Sequence, residues 1–160
     1  MRIEARLGDL GLTLPEAAKV SGTGGPPAWI RVRHNIAYVS GQSARNPDGS
    51  PAGPFGSVPS VVSPEAARTA ARQTALSLLG TLKRELRDLD RISAWLSVTG
   101  MVNADPGFAG TSAVISGFSD FIIDLFGPEI GMHARASPGM AALPGNSAVV
   151  IAAIVEIDGG

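Results

Sequence analysis

The stretch SPEAARTAARQTALSLLGTLKRELR (residues 63–87) decides the fold. Ser63 can accept from an orphan N–H, Pro64 suits the first helical position, and Glu65 sits at the positive end of the helix dipole. Behind this start, Ala67, Ala71, Thr74, Ala75, Leu78, Leu79, Leu82 and Leu86 recur at i, i+4, i+7. Arg68, Arg72, Lys83, Arg84 and Arg87 mark the opposite side. This spacing predicts an amphipathic helix from Pro64 to Arg87 whose apolar stripe lies on a sheet.

Working upstream, Ile30, Val32, the connection His34-Asn35, and Ile36-Ala37-Tyr38-Val39 suit a β-hairpin with one buried face, leaving through Ser40-Gly41-Gln42. Residues 43–63 hold several Pro and Gly and the turn Asn46-Pro47-Asp48-Gly49; a loop of this length inside one domain is more often functional than idle. Before the hairpin, Ser21-Gly22-Thr23-Gly24-Gly25-Pro26-Pro27 reads as a loop, and residues 2–19 as a short helix or turn docked at an edge. Downstream, Ile92 to Val102 reads as a strand with Gly100 as a bulge, and Val114 to Leu125 as a helix ended by Gly127-Pro128. Met132 to Met140, interrupted by Pro138, reads as a short edge strand. Val149 to Ile157, a continuous apolar run, reads as a central strand covered on both faces. The order β-β-α-β-α-β-β predicts an α+β fold, a mixed sheet with two helices on one face, in a single domain over 1–160.

Composition narrows the chemistry. Of 160 residues, 44% are apolar and 20 more are Gly, while 17% are charged against about 25% in a typical soluble domain. Part of the surface is therefore expected to face protein. No Cys means no disulfide, thiol nucleophile or zinc–thiolate site, and His34 and His133 are too far apart to form a helical ligand pair, so no metal is expected. A net charge of −1 and only eight aromatics, with no basic cluster among them, argue against a nucleic-acid partner. No run reaches the roughly 18 apolar residues of a membrane span, and the N-terminus has no signal-like apolar core, so the chain reads as cytoplasmic.

The segment with most chemistry is His133-Ala134-Arg135-Ala136-Ser137. In a strand, His133, Arg135 and Ser137 share one face. A guanidinium among small residues can hold a carboxylate by two parallel hydrogen bonds; equally, Arg135 can pair with an acidic residue or bridge subunits. His133 can carry a proton near neutrality or partner a loop carbonyl. Ser40-Gly41 offers a hydroxyl and free backbone N–H groups to a ligand, or is an ordinary strand end.

Together, Tyr38-Val39-Ser40-Gly41-Gln42, the Ala-rich helix, Val98-Thr99-Gly100-Met101-Val102-Asn103, His133-Ala134-Arg135 with Leu143-Pro144, and Ile151-Ala152-Ala153-Ile154 resemble the Rid/YjgF family of reactive-intermediate deaminases. Arg6-Leu7-Gly8-Asp9-Leu10-Gly11 and Asp120-x-x-x-Asp124-x-Phe126-Gly127 resemble a longer subgroup of it. The resemblance implies a chorismate-mutase-like fold and a homotrimeric barrel with ligand clefts between subunits. It also implies hydrolysis of small 2-imino or 2-enamine acids to 2-oxo acids and ammonia, without metal or organic cofactor. Arg135 matches the family's carboxylate-binding arginine, and Ser40 and Gly41 match the segment lining the cleft. A helix asparagine of the family falls at Ser116, and a cleft tyrosine at about Pro27, with Trp29 nearby as a substitute. The family's last-strand glutamate, which positions the attacking water, falls at Val150. The reading is thus an imine deaminase that relies on Arg135, Ser40-Gly41 and His133. Its alternatives are a non-catalytic trimer that binds a carboxylate metabolite, or a specialised enzyme for a larger imine bordered by loop 43–63.

Overall fold

The computed structural model describes residues 2–19 and 25–159, so residues 21–24 of the expected glycine-rich loop lie outside the described residues. The chain runs through α1 (Arg2–Asp9), β1 (Ile30–Arg33), β2 (Ile36–Gln42), α2 (Pro64–Leu86), β3 (Ile92–Asn103), α3 (Thr111–Phe126) and a single turn α4 (Pro128–Gly131). It ends in β4 (Ala134–Ala136), β5 (Gly139–Met140) and β6 (Val149–Ile157). This is the expected α+β architecture, with α1 as the short helix expected within residues 2–19, α4 as an addition, and the edge strand split in two by Pro138.

The hairpin turns where expected. His34 and Asn35 both have positive φ, 49° and 63°, the pairing whose twist matches that of the flanking strands. Ser63 caps α2 by accepting from the Ala66 amide, and Arg87 ends it in the left-handed region at φ 66°. Every residue of the predicted apolar stripe of α2 is buried.

The sheet order is β1-β2-β6-β3-β4, with β5 also paired to β3. β6 is central, antiparallel to both neighbours, whereas β4 and β5 run parallel to β3 at the edge. The helices α2 and α3 cover one face. There Trp95 meets Phe118 and Phe126 edge-on, with ring centroids 5.9 and 5.7 Å apart. Among the described residues of the single chain nothing covers the other face. Alternation carries Tyr38, Ala152, Ile154, Ser97 and Thr99 onto it, around a hollow of about 270 Å³, and Tyr38 is 49% exposed. The expectation that 149–157 is covered on both faces therefore fails within one chain, because all the helices that could cover it pack on one side.

Gly100 is not a bulge. It pairs in register with Ile151, and the irregularities of β3 lie at Ile92/Ala94 and Trp95/Ser97. A side chain at 100 would bring its Cβ to 2.5 Å from Ile115, so Gly100 lets α3 approach the sheet closely.

Candidate functional site

A second irregularity shapes the site. Between Val39 and Gln42, β2 breaks register with β6: Val39 lies opposite Ala153 and Gln42 opposite Ile151, so Ser40-Gly41 carry the extra residue of a bulge. The bulge turns Gln42 from the bare face to the helix side, where it is 2% exposed and its Oε1 accepts from the Thr81 hydroxyl at 3.1 Å. At the bulge, Ser40 donates its hydroxyl to the Ala28 carbonyl at 2.7 Å and its amide to that of Trp29 at 2.9 Å. These bonds tie the segment before the hairpin to β2. Gly41 faces Val150 so closely that a Cβ there would sit 2.9 Å from the valine Cγ1.

Arg135 lies elsewhere. Its strand partner is Val98, a core residue, so its side chain falls on the face that α3 covers. Three strand spacings, about 14 Å, separate β4 from β2. The chain therefore brings Arg135, His133 and Ser116 together in one place and Ser40, Gly41, Trp29 and Val150 in another.

At the first place, α3 presents Ser112, Ser116 and Ser119 at i, i+4 and i+7, and the guanidinium lies along them. Nη1 donates to Ser119 Oγ at 3.1 Å and more loosely to Ser116 Oγ at 3.4 Å; Nη2 donates to Ser112 Oγ at 2.7 Å. No carboxylate lies within ion-pair distance of Arg135 among the described residues. Hydroxyls orient the fork without neutralising it, so its charge remains available to an anion.

His133 extends this row. Its Nδ1 is 2.7 Å from the Gly131 carbonyl, which can only accept, so Nδ1 carries the proton. Nε2 then accepts from the Ser119 hydroxyl at 2.8 Å, and Ser119 in turn accepts from Arg135. The chain of bonds has one direction, from cation to carbonyl. Burial pushes the imidazole below its usual 6.5 and outweighs the Gly131 carbonyl, which pulls the other way; the Arg135 charge adds to the lowering. Both ring nitrogens are thus occupied within the chain. Ser112 and Ser119 were missed by sequence reasoning, although their helical spacing from Ser116 was a usable signal.

At the second place, Trp29, Gly41, Gln42 and Val150 border a cavity of about 440 Å³ that Arg45 and Phe55 complete. The Arg45 guanidinium lies 5.1 Å from the Trp29 ring centroid, and its Nη1 donates to the Gly49 carbonyl at 2.8 Å. Burial lowers its pKa. Neither Arg45 nor Phe55 was singled out in the sequence, where both lie in the Pro/Gly loop.

No family model matches the chain. Protein TCP17 of Trypanosoma cruzi is 36% identical over 162 residues, covering 98% of this chain and 95% of that protein. The crystal structure of Atu1372 from Agrobacterium tumefaciens, a protein of unknown function, is 39% identical with a TM-score of 0.86, over 98% of this chain and 93% of that one. YyfA of Yersinia pestis, a protein of unknown function in the conserved Rid family, shares the fold at 22% identity and a TM-score of 0.60, over 89% and 94% of the two chains. The chain belongs to one family with TCP17 and Atu1372, and it has the fold of the Rid/YjgF proteins.

Proposed function

We propose that the chain hydrolyses 2-imino acids, and the 2-enamine acids that tautomerise to them, in a cleft between copies of itself. The observation that carries this reading is Arg135, a guanidinium oriented by three serines with no carboxylate of its own among the described residues. It would hold the substrate carboxylate in its fork, while the Ser40-Gly41 bulge of a second copy supplies backbone groups beside the C=N carbon. A protonated imine, R–C(=NH2⁺)–COO⁻, adds water at carbon and loses its nitrogen as NH4⁺, leaving R–CO–COO⁻. The carbon is already electrophilic, so holding it against an ordered water supplies acceleration without a dedicated base. His133, with both nitrogens engaged, serves as the prop that fixes Ser119 under Arg135.

The two halves lie too far apart in one chain, and the bare sheet face offers the surface by which copies would meet. A homotrimer is the assembly this reading requires. Its mass in solution is then expected to be three chains, and Tyr38→Glu, placed on the exposed sheet face, is expected to lower it.

An amino-acid oxidase generating imines in the presence of semicarbazide tests the reaction: wild type diverts imine to 2-oxo acid and ammonia faster than the spontaneous rate, and Arg135→Ala does not. Equal rates with and without the wild-type protein, over several amino acids, would remove the deaminase reading. A second reading, a trimer that binds a carboxylate metabolite without turnover, is favoured by one observation. No acidic residue lines the cavity beside Val150 among the described residues, and by the resemblance Val150 takes the place of the water-positioning glutamate. Thermal stabilisation by 2-oxo acids in the absence of turnover supports that reading.

A further inference from the structure

The cavity beside the bulge is bordered by one partly buried cation, Arg45. Arg45 Nε and Gln42 Nε2 are sealed from solvent with no hydrogen-bond partner among the described residues, so neither reaches a ligand in the cavity, and what Arg45 offers there is its charge. Gln42 is held there by the Thr81 hydroxyl on α2, and Arg45 by the Trp29 ring and the Gly49 carbonyl. No Asp or Glu borders the cavity among the described residues, so Arg45 is its single formal charge. The rest of the wall is largely apolar: the Trp29 indole, Val150, Pro51, Pro144, and Phe55, which is 46% exposed.

A cation standing alone in a largely apolar wall is complemented by an anion, and a guanidinium suits a carboxylate. The apolar wall asks for methylenes between that anion and the reacting end. A volume of about 440 Å³ lies within the range of small-molecule sites and exceeds what the smallest imino acids need.

We propose that this cavity is the side-chain pocket of the cleft, and that it selects 2-imino acids, and the corresponding 2-oxo acids, whose side chain ends in a carboxylate held by Arg45. The proposal rests on the deaminase reading for its placement of the reacting end near Gly41. Arg135 would then take the carboxylate next to the reacting carbon, and Arg45 the distal one.

The test compares 2-oxoadipate with 2-oxohexanoate, ligands of equal length that differ in whether the far end is carboxylate or methyl. Titration calorimetry on the full chain is expected to give 2-oxoadipate about tenfold tighter binding or more, the scale of a charge-assisted hydrogen bond. Arg45→Met brings the two ligands to parity. Arg45→Lys, which keeps the charge but not the fork, retains part of the preference. Arg135→Ala weakens both ligands alike. Trp29 is one of two tryptophans and the other, Trp95, is 1% exposed in the core, so 2-oxoadipate also changes the fluorescence and 2-oxohexanoate changes it less. Equal affinity of the wild type for the two ligands would overturn the proposal, as would a preference that survives Arg45→Met. If Arg45→Met does not fold, the wild-type ligand pair and Arg45→Lys decide. The two readings separate cleanly: a dicarboxylate preference without ammonia release removes only the deaminase, and turnover of both imines with equal efficiency removes only the distal carboxylate site.

Discussion

Among the described residues Arg135 and Arg45 are both cations without an ion-pair partner, yet the chain holds them in opposite ways. Arg135 lies on a regular helix whose three serine hydroxyls accept from its fork, and Ser119 passes the last bond on to His133. Arg45 sits in a loop, stacked on Trp29, with a buried Nε that nothing among the described residues accepts from. A hydroxyl can rotate to satisfy a cation and still leave its charge uncancelled, so the Arg135 corner is complete without a ligand. The Arg45 cavity holds a charge that no acid balances among the described residues, and the buried Nε beside it stays unpaired at a cost in free energy.

If that contrast holds, the largest effect belongs to Arg135→Ala in the imine assay, a loss of about a hundredfold or more in any acceleration, the scale of a bidentate charge-assisted contact. Next comes Ser119→Ala. Ser119 is 7% exposed and links two partners, so chemical unfolding is expected to show a loss of about 1–2 kcal/mol. A smaller loss would mean that His133 and Arg135 are positioned independently.

A third effect is pH dependence. The folded-state pKa of His133 lies below the ordinary 6.5, so its contribution to stability is complete above about that pH. As pH falls below 6.5 the unfolded chain takes the proton first, and stability is lost until the folded-state pKa is passed. Melting temperature is therefore expected to fall between pH 7 and 5, and to fall less in His133→Gln. An identical profile in the two proteins would detach His133 from the Arg135 corner. The smallest effect is also the sharpest contrast: without ligand, Arg45→Met leaves stability within about 0.5 kcal/mol of wild type, since it removes an unsatisfied buried donor along with its contacts. Arg135→Met loses about 1 kcal/mol, because it strips bonds that are already made. Equal losses would show that the two arginines are not held differently.

Local chemistry was legible where a residue type has few uses. Ser63-Pro64-Glu65 opens a helix, two residues between alternating strands turn a hairpin at His34-Asn35, and both lie where the pattern places them. Arg135 was legible as a candidate from its small neighbours. Its serine row was only partly so, since Ser116 came from the family resemblance and Ser112 and Ser119 share its face by helical period alone. Gln42 and Arg45 were not legible as a pair. Strict alternation puts Gln42 on the bare face, and only the bulge at Ser40-Gly41 reverses it.

By itself, then, the sequence determined the element order, the helix that covers the sheet, the absence of thiol chemistry, and a cation at the edge strand. These follow from local propensity and from periods of two and 3.6 that each segment carries alone. Tertiary structure decided the rest: that Gly100 yields to Ile115 rather than bulging, that Arg135 meets hydroxyls instead of an acid, and that Arg45 and Gln42 border one cavity. Each of these depends on which distant residue is packed opposite, and register across strands and helices is set by the whole core rather than by any one stretch of chain.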